Sequence, residues 1–392
     1  MAQLAMARLA GLPGSRKPLR VTFDPGLNIL WGMNGAGKTT LLKILHSALT
    51  TDTAPLLRLA FSSALIDIAH HGSLTTRELQ RSGRSQEVLD LDDSSDLSSY
   101  RDIELARLSI LEATQALHWV QRGPSEIRSE ALIPHRYLPV SRIFDFRNRF
   151  GRRTGRGAIG EVLDEVEYDR VFAEQIQSLW SEYHANALHQ TRMAQQEAVN
   201  QILGSLLSGD DFLEDHDMDL VPGDDARRLV TDFVRSNSGL RRHVSPKRIL
   251  SEYETNPLLN RVVRTITSVQ QRIEQSLAPE NRFQHALNSL LSRKHVDISG
   301  PRRLVVRSEA NEEIPIASLS SGEKQLMRIL LETLVADNTP VLVDEPEISL
   351  HVDWQARLLE AMTFINPDAQ VIVATHSPEI VGNGHGGRLI EV

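Results

Sequence analysis

A chain of 392 residues, 41% hydrophobic and 24% charged, has the apolar content of a folded protein of more than one domain, which excludes wholesale disorder. It contains no cysteine, so a disulfide framework, a thiolate zinc site and an iron–sulfur cluster are excluded. With 43 basic against 51 acidic residues the net charge is -8, so any nucleic-acid contact must come from a local patch. No apolar run reaches the ~18 residues of a membrane span. Met1 to Gly14 lacks the basic start and apolar centre of a leader and reads as a first strand. The expected location is cytoplasmic.

In chain order, Val21-Thr22-Phe23 and Leu27-Asn28-Ile29-Leu30-Trp31 read as strands around a turn at Asp24-Pro25-Gly26. Next comes Gly32-Met33-Asn34-Gly35-Ala36-Gly37-Lys38-Thr39-Thr40, then an apolar helix carrying Leu41, Leu42, Ile44 and Leu45. This is GxxxxGK[ST] between a strand and a helix, the context that marks a P-loop. Its glycines let backbone amides wrap a phosphate, and the helix N-terminus adds its positive dipole end. Lys38 is expected on the β and γ oxygens of ATP, and the Thr39 hydroxyl on Mg²⁺.

Ser82 to Tyr100 is rich in Ser and Asp, has no period, and reads as a loop. Arg136, Arg142, Arg147, Arg149, Arg152, Arg153 and Arg156 share a segment with a single acid, Asp145, and with Phe144, Phe146 and Phe150. Three readings of Arg136–Arg156 stand side by side: a DNA or RNA contact, a partner protein or acidic segment, and a solvated basic face. Two helical stretches follow. Phe172, Ile176, Leu179 and Tyr183 recur at 3–4 spacing within 161–207, and Val262, Ile266, Val269, Ile273 and Leu277 within 246–292, which starts at Ser245-Pro246. Core is the favoured reading of both faces over a partner-binding surface. A 45-residue helix would reach at most ~70 Å, and a broken bundle packed on the rest is expected. The acidic stretch Asp210 to Asp225 lacks the Gly and Glu of a calcium loop and reads as a solvated loop. The histidines show no metal-ligand spacing, so no zinc is expected.

Leu319-Ser320-Ser321-Gly322-Glu323-Lys324-Gln325 precedes a helix. It reads as a second anion-binding helix N-terminus, or as a cap in which Ser320 or Ser321 pairs with Glu323 or Gln325; both can hold at once. Pro340-Val341-Leu342-Val343-Asp344-Glu345-Pro346 is an apolar strand ending in two carboxylates, as a buried parallel strand reads. Asp344 is expected in the Mg²⁺ shell and Glu345 on the attacking water. A third strand, Val371 to Ala374, runs into Thr375-His376-Ser377-Pro378 through a helix from Trp354 to Phe364. This strand–helix–strand unit puts Glu345 and His376 on one sheet edge, with His376 as a γ-phosphate sensor.

These motifs, in this order, resemble the ABC-type ATPase heads of the SMC, RecF and OLD group, and in spelling the short stand-alone AAA proteins of bacterial phage-defence systems. The resemblance covers about residues 1–60 and 295–392, with a weaker match at Tyr137 to Arg142, the Q-loop region, where no glutamine fits. It implies an α/β P-loop NTPase fold: an ABC-type head in two lobes, 1–160 and 295–392, with a helical insertion at 161–294. Asn34, Gly35, Ala36, Gly37, Lys38, Thr39 and Thr40 would bind ATP. Ser320, Ser321, Gly322 and Glu323 form the signature motif, Asp344 and Glu345 the Walker B pair, Glu347 to His351 the D-loop, and His376 the switch histidine. Catalysis would fall to Glu345 and His376, and Mg²⁺ to Thr39 and Asp344.

The resemblance further implies a homodimer in which each head offers its signature to the partner's ATP. OLD-like enzymes carry a nuclease after the switch histidine, and Val392 follows His376 by sixteen residues, so a separate effector is expected. The leading function is an ATP-driven switch in a nucleic-acid-related process, anti-phage defence above all. A DNA-repair or chromosome-maintenance ATPase is the alternative, and a transporter's ATP-binding subunit is disfavoured by the helical insertion.

Overall fold

The structure, a computed structural model, describes residues 2–13, 17–70, 72–81, 117–122, 132–140, 165–207, 223–236, 242, 245–252, 255–298, 303–382 and 387–392. The chain divides into two units, one formed by 1–176, 283–297 and 305–392, the other by 177–282 and 298–304. The expected loop at 82–100, and Arg142 to Arg156 with their interleaved phenylalanines, lie outside the described residues.

The first unit is built on a parallel five-stranded sheet. Strands β3 (Leu27–Trp31), β11 (Val341–Asp344) and β12 (Val371–Thr375) are mostly apolar and buried, as strands inside a parallel sheet are, and the one polar residue inside β3, Asn28, is bonded to Asp24 and Gly26. With β7 (Arg136–Leu138) and β13 (Arg388–Glu391) they lie in the order β13-β3-β12-β11-β7. Of the weakly matching segment, Tyr137 and Leu138 belong to β7. Register pairs Asp344 with Ala374 and Thr375 with Trp31. The carboxyl ends of three strands therefore finish level, and the loops that follow them share one edge.

Helix α1 (Lys38–Thr50) leaves β3 and buries Leu41, Leu42, Ile44, Leu45, Ala48 and Leu49. Its apolar face packs in one cluster with Leu342 and Ile372 of the parallel sheet and with Leu4, Leu9, Ile66 and Ile68. Those last residues belong to an antiparallel sheet made from β1 (Ala2–Ala10), β2 (Leu19–Thr22), β4 (Ser63–His70), β5 (Ser73–Arg81) and β6 (Leu117–Arg122), in the order β2-β1-β4-β5-β6. Gln370 links the sheets: its Nε2 donates to Leu4 O and its Oε1 accepts from Leu4 N, both at 2.8 Å. Arg77, fully buried, donates to Ala48 O near the C-terminus of α1, where a cation is favoured by the helix dipole. The remaining elements are a small sheet, β8 (Lys294–Asp297), β9 (Val305–Ser308) and β10 (Glu313–Ile314), and helices α6 (Ser321–Val335), α7 (Val352–Ile365) and α8 (Pro378–Gly382).

The second unit is helical. Helix α2 (Glu165–Leu207) starts in the first unit and runs 43 residues, about 65 Å at 1.5 Å per residue; α5 (Pro257–Leu290) runs 34 residues with Pro279 inside it. The expectation of a broken bundle is therefore corrected for α2, which is continuous. It holds for 246–292, which divides into α4 (Pro246–Glu252) and α5. Arg272 donates to Glu197 at 2.9 Å and Glu280 stands 3.6 Å from His184. The two pairings step in opposite directions, so the long helices are antiparallel.

Helix α3 (Gly223–Ser236) packs Ala226, Val230 and Phe233 on Val263 and Ile266. Its first turn takes in Asp224 and Asp225, the end of the stretch expected to be loop, because acids stabilise a helix N-terminus. The expected apolar face of α5 is buried at Ile266 and Val269, but Leu277 is exposed. Among the described residues, no helix is long and apolar enough to cross a membrane.

Candidate nucleotide site

The loop between β3 and α1 turns on Gly37, whose φ of 106° lies in the left-handed region that a side chain disfavours. That turn delivers Lys38 as the first helical residue with no side chain capping the amides above it, so the free N–H groups of the first turn face the loop. Lys38 is 4% exposed and donates to Gly32 O at 2.7 Å and Met33 O at 3.1 Å. Its ammonium is folded over these two loop carbonyls. Asn34, Gly35, Ala36 and Thr40 belong to the same loop and first turn.

Thr39 Oγ1 donates to Asp344 Oδ1 at 3.1 Å. Asp344 is 2% exposed, and its Oδ2 is buried without a hydrogen-bond partner among the described residues. Burial pushes the Asp344 carboxyl up to about 6; the Thr39 hydrogen bond lowers it, and neighbouring Glu345 raises it again. A hydroxyl and an underbonded carboxylate side by side are the oxygen donors Mg²⁺ takes when it also binds phosphate, so these residues fit the metal.

Glu345 has a φ of 47° and Ser349 one of 69°, a conformation that costs a non-glycine residue roughly 1 kcal/mol or more and is concentrated at functional sites. Glu345 N donates to Ala374 O at 2.8 Å, fastening this turn to β12. The Glu345 carboxylate then stands 3.4 Å from His376 Nδ1, as the strand–helix–strand reading expects. His376 is half-exposed, its side chain 44% accessible, whereas that of Glu345 is 21% accessible.

Sequence reasoning treated Glu347 only as the start of the D-loop. In the fold its Oε1 accepts from Thr375 Oγ1 at 2.6 Å, His376 N at 2.8 Å and Ser377 N at 3.1 Å, and lies 3.2 Å from His376 Nδ1. Gln355 closes the arrangement: its Oε1 accepts from Ser377 Oγ at 2.8 Å, and its Nε2 donates to Leu350 O at 2.9 Å. The D-loop and the His376 turn are thus one hydrogen-bonded assembly. The one available signal was a third acid in Asp344-Glu345-Pro346-Glu347, facing a Thr and a Ser beside His376.

The segment at Ser320 forms both halves of a capping box. Ser320 Oγ accepts from Glu323 N at 3.3 Å, and Glu323 Oε2 accepts from Ser320 N at 2.8 Å. Lys294 Nζ donates to both Glu323 oxygens at 2.9 Å. Burial raises the Glu323 carboxyl, but the bonds from Lys294 and Ser320 outweigh it and hold it below the usual range. Lys324 reaches Asp169 Oδ1 at 2.6 Å. A Cβ on Gly322 would stand 2.6 Å from Ser349 O and 3.2 Å from Trp354 Cζ3, so only glycine lets the D-loop lie this close to α6. The structure brings Lys38, Thr39, Asp344, Glu345 and His376 to one sheet edge. The hydrogen bonds of Ser320 and Glu323 run within the capping box and to Lys294 instead, and neither Lys294 nor Asp169 carried a sequence signal.

Of the basic segment, Arg136 is described. It pairs with Glu332 at 3.5 Å, both side chains mostly buried, and its backbone belongs to β7. Arg136 is therefore a structural member of the sheet, which corrects its place in the basic cluster.

The glycine-rich loop that opens α1, the two carboxylates at the end of β11 and His376 after β12, all at one edge of a parallel sheet, define the class: a P-loop NTPase on an α/β fold. Two family models match the chain, "AAA domain" over residues 14–133 and "AAA domain, putative AbiEii toxin, Type IV TA system" over residues 224–382. Among curated relatives, the Septu protein PtuA of Bacillus thuringiensis is 33% identical over 92 residues, 20% of this chain and 23% of that protein. The match thus spans about a quarter of the relative's length. Among solved structures, the SMC head domain from Thermotoga maritima aligns over 100% of this chain and 94% of its own at 14% identity, with a TM-score of 0.40. The Smc head domain with a coiled coil and joint from Pyrococcus yayanosii aligns over 100% and 95% at 13% identity, with a TM-score of 0.43.

Proposed function

We propose that this chain binds ATP with Mg²⁺ and hydrolyses it as a homodimer, each head completing the other's site, and that the cycle of closing and opening switches a nucleic-acid-related process, anti-phage defence above all. The observation that carries the reading is the convergence of Thr39, Asp344, Glu345 and His376 beside the Lys38 loop. Bound Mg²⁺ would supply positive charge to the β and γ oxygens, with Thr39 and Asp344 as the residues that hold it.

Lys38 would leave the carbonyls of Gly32 and Met33 for the phosphates, a short move that trades two neutral acceptors for charged ones. Glu345 orients the attacking water and accepts its proton while the bond between the β–γ bridging oxygen and the γ-phosphorus breaks. His376 faces the γ-phosphate. Such chemistry is positioning and charge stabilisation, with little covalent work for the protein.

Dimerisation rests on the signature. Ser320, Ser321 and Gly322 open a helix packed on their own chain's D-loop, and Glu323 is held by Lys294, an arrangement suited to presenting helix amides to a partner's nucleotide. The defence setting rests on the motif spelling and the partial likeness to a Septu protein. A separate effector and a nucleic-acid contact through Arg142 to Arg156 complete the proposal. The test is ATP hydrolysis per chain measured across a dilution series. A composite site requires the rate per chain to rise with concentration through the dimer equilibrium; a constant rate contradicts it.

A further inference from the structure

The acid three residues beyond Asp344 has more hydrogen-bond donors directed at it than any role in the ATPase reading requires. The Glu347 side chain is 6% accessible, and among the described residues no lysine or arginine pairs with it. A buried carboxylate without a cation is costly unless donors surround it. Here one oxygen, Oε1, takes a hydroxyl and two consecutive backbone amides, all from the turn that carries His376. The other oxygen is buried and unpartnered, so the group is kept for what Oε1 does. The same oxygen lies 3.2 Å from His376 Nδ1, on the side where Glu345 approaches at 3.4 Å.

We propose that Glu347 is the positioning residue of the Glu345–His376 pair: its buried Oε1 fixes the Thr375–Ser377 backbone and the His376 ring in the one placement where His376 meets Glu345. This rests on the ATPase reading above and adds a residue to it. Glu347 Oε1 and Glu345 Oε2 both face His376 Nδ1, so Glu347 sets the ring's orientation through that nitrogen and the backbone beneath it. Gln355 stiffens the support by holding Ser377 Oγ and the D-loop carbonyl Leu350 O. Glu347 touches neither substrate nor water; it acts through His376.

The test compares Glu347→Ala, Glu347→Gln and Thr375→Val with the parent chain in steady-state ATP hydrolysis, and follows amide exchange at His376 and Ser377. Misplacing a catalytic group by about 1 Å costs roughly 10²-fold. Glu347→Ala is therefore expected to lower kcat by roughly 10- to 100-fold, leave KM for ATP nearly unchanged, and speed exchange of both amides. Glu347→Gln keeps an acceptor at Oε1 and is expected to retain most of kcat and the slow exchange. Thr375→Val removes one donor without changing shape and gives a smaller fall in kcat, which serves if Glu347→Ala does not fold. A Glu347→Ala kcat within about twofold of the parent, a raised KM at unchanged kcat, or equal damage from Gln and Ala overturns the inference. A parent chain that binds ATP and never hydrolyses it overturns the proposed function instead; the exchange rates of the two amides then decide the positioning alone.

Discussion

Thr39 and Asp344 are 305 residues apart in sequence and share a hydrogen bond of 3.1 Å. The bond exists because β3 and β11 both flank β12 and end level with each other, so the first turn of α1 opens beside the last residue of β11. It joins the two ends of the chain at the place where a phosphate-bound cation needs oxygen donors.

Asp344 carries a cost that pH reveals. Its carboxyl rises from an ordinary 3.8 to about 6, so between those values the folded chain holds a proton that the unfolded chain has lost. Stability contributed by this group therefore falls as pH rises through the window, by about 3 kcal/mol above pH 6. Asp344→Asn removes the charge and keeps the shape. Thermal melts without nucleotide are expected to show the variant more stable than the parent at pH 7.5 and equal to it near pH 4. A variant no more stable at pH 7.5 contradicts the burial argument.

The His46–His135 pair works in the opposite direction. His46 Nδ1, on α1, is 2.7 Å from His135 Nε2, and His135 Nδ1 is 2.8 Å from Ile133 O. Ile133 O can only accept, so His135 Nδ1 carries the hydrogen, and a neutral His135 accepts at Nε2 from His46 Nδ1. Burial lowers His135 to about 4, with the Ile133 carbonyl opposing and His46 and Arg136 adding to the fall. The unfolded chain binds the extra proton between 4 and 6.5, so stability is lost as pH falls through that range, about 2 kcal/mol of it by pH 5. His135→Gln is expected to lose less stability than the parent between pH 7 and pH 5, read as the change in Tm; equal losses would place the acid sensitivity elsewhere.

Lys38→Ala removes the cation proposed to meet the phosphates. A charge-assisted bond is worth roughly 1.5–3 kcal/mol, so titration with a fluorescent ATP analogue is expected to show affinity falling about 10- to 100-fold. An unchanged affinity would mean that the ammonium stays on Gly32 O and Met33 O when nucleotide binds.

What the sequence disclosed follows from how local each signal is. The P-loop, β11, β12 and the Ser320–Glu323 cap are runs of fewer than ten residues whose types and spacing state their own chemistry. Glu345 and His376 were legible as neighbours because one strand–helix–strand unit connects them. The pairing of Lys294 with Glu323, and of Lys324 with Asp169, depends on how α2 and β8 pass α6, and no periodicity encodes that. Glu347 looked like one more loop acid, because the hydroxyl and two amides it binds belong to a strand end 28 to 30 residues on. Arg136 misled for the same reason: its neighbours in sequence are basic, but its partner in space is Glu332.

Gly322→Ala probes the signature from inside one chain. The added Cβ would stand 2.6 Å from Ser349 O, a backbone atom that cannot swing aside, so either α6 or the D-loop must shift. ATP affinity of the single chain is expected to survive, because the P-loop is untouched, while hydrolysis at high protein concentration falls at least tenfold, the scale of a lost transition-state contact. Equal hydrolysis by variant and parent would separate the signature from catalysis.

In the proposed cycle two chains share each ATP. Glu345→Gln keeps the residues proposed to bind nucleotide and removes the carboxylate proposed to accept the water's proton, so ATP is expected to stay bound. Light scattering on size-exclusion chromatography with Mg²⁺ and ATP is expected to show this variant as a stable dimer that returns to monomer in ADP. A Glu345→Gln chain that remains monomeric at saturating ATP contradicts a site shared between two chains.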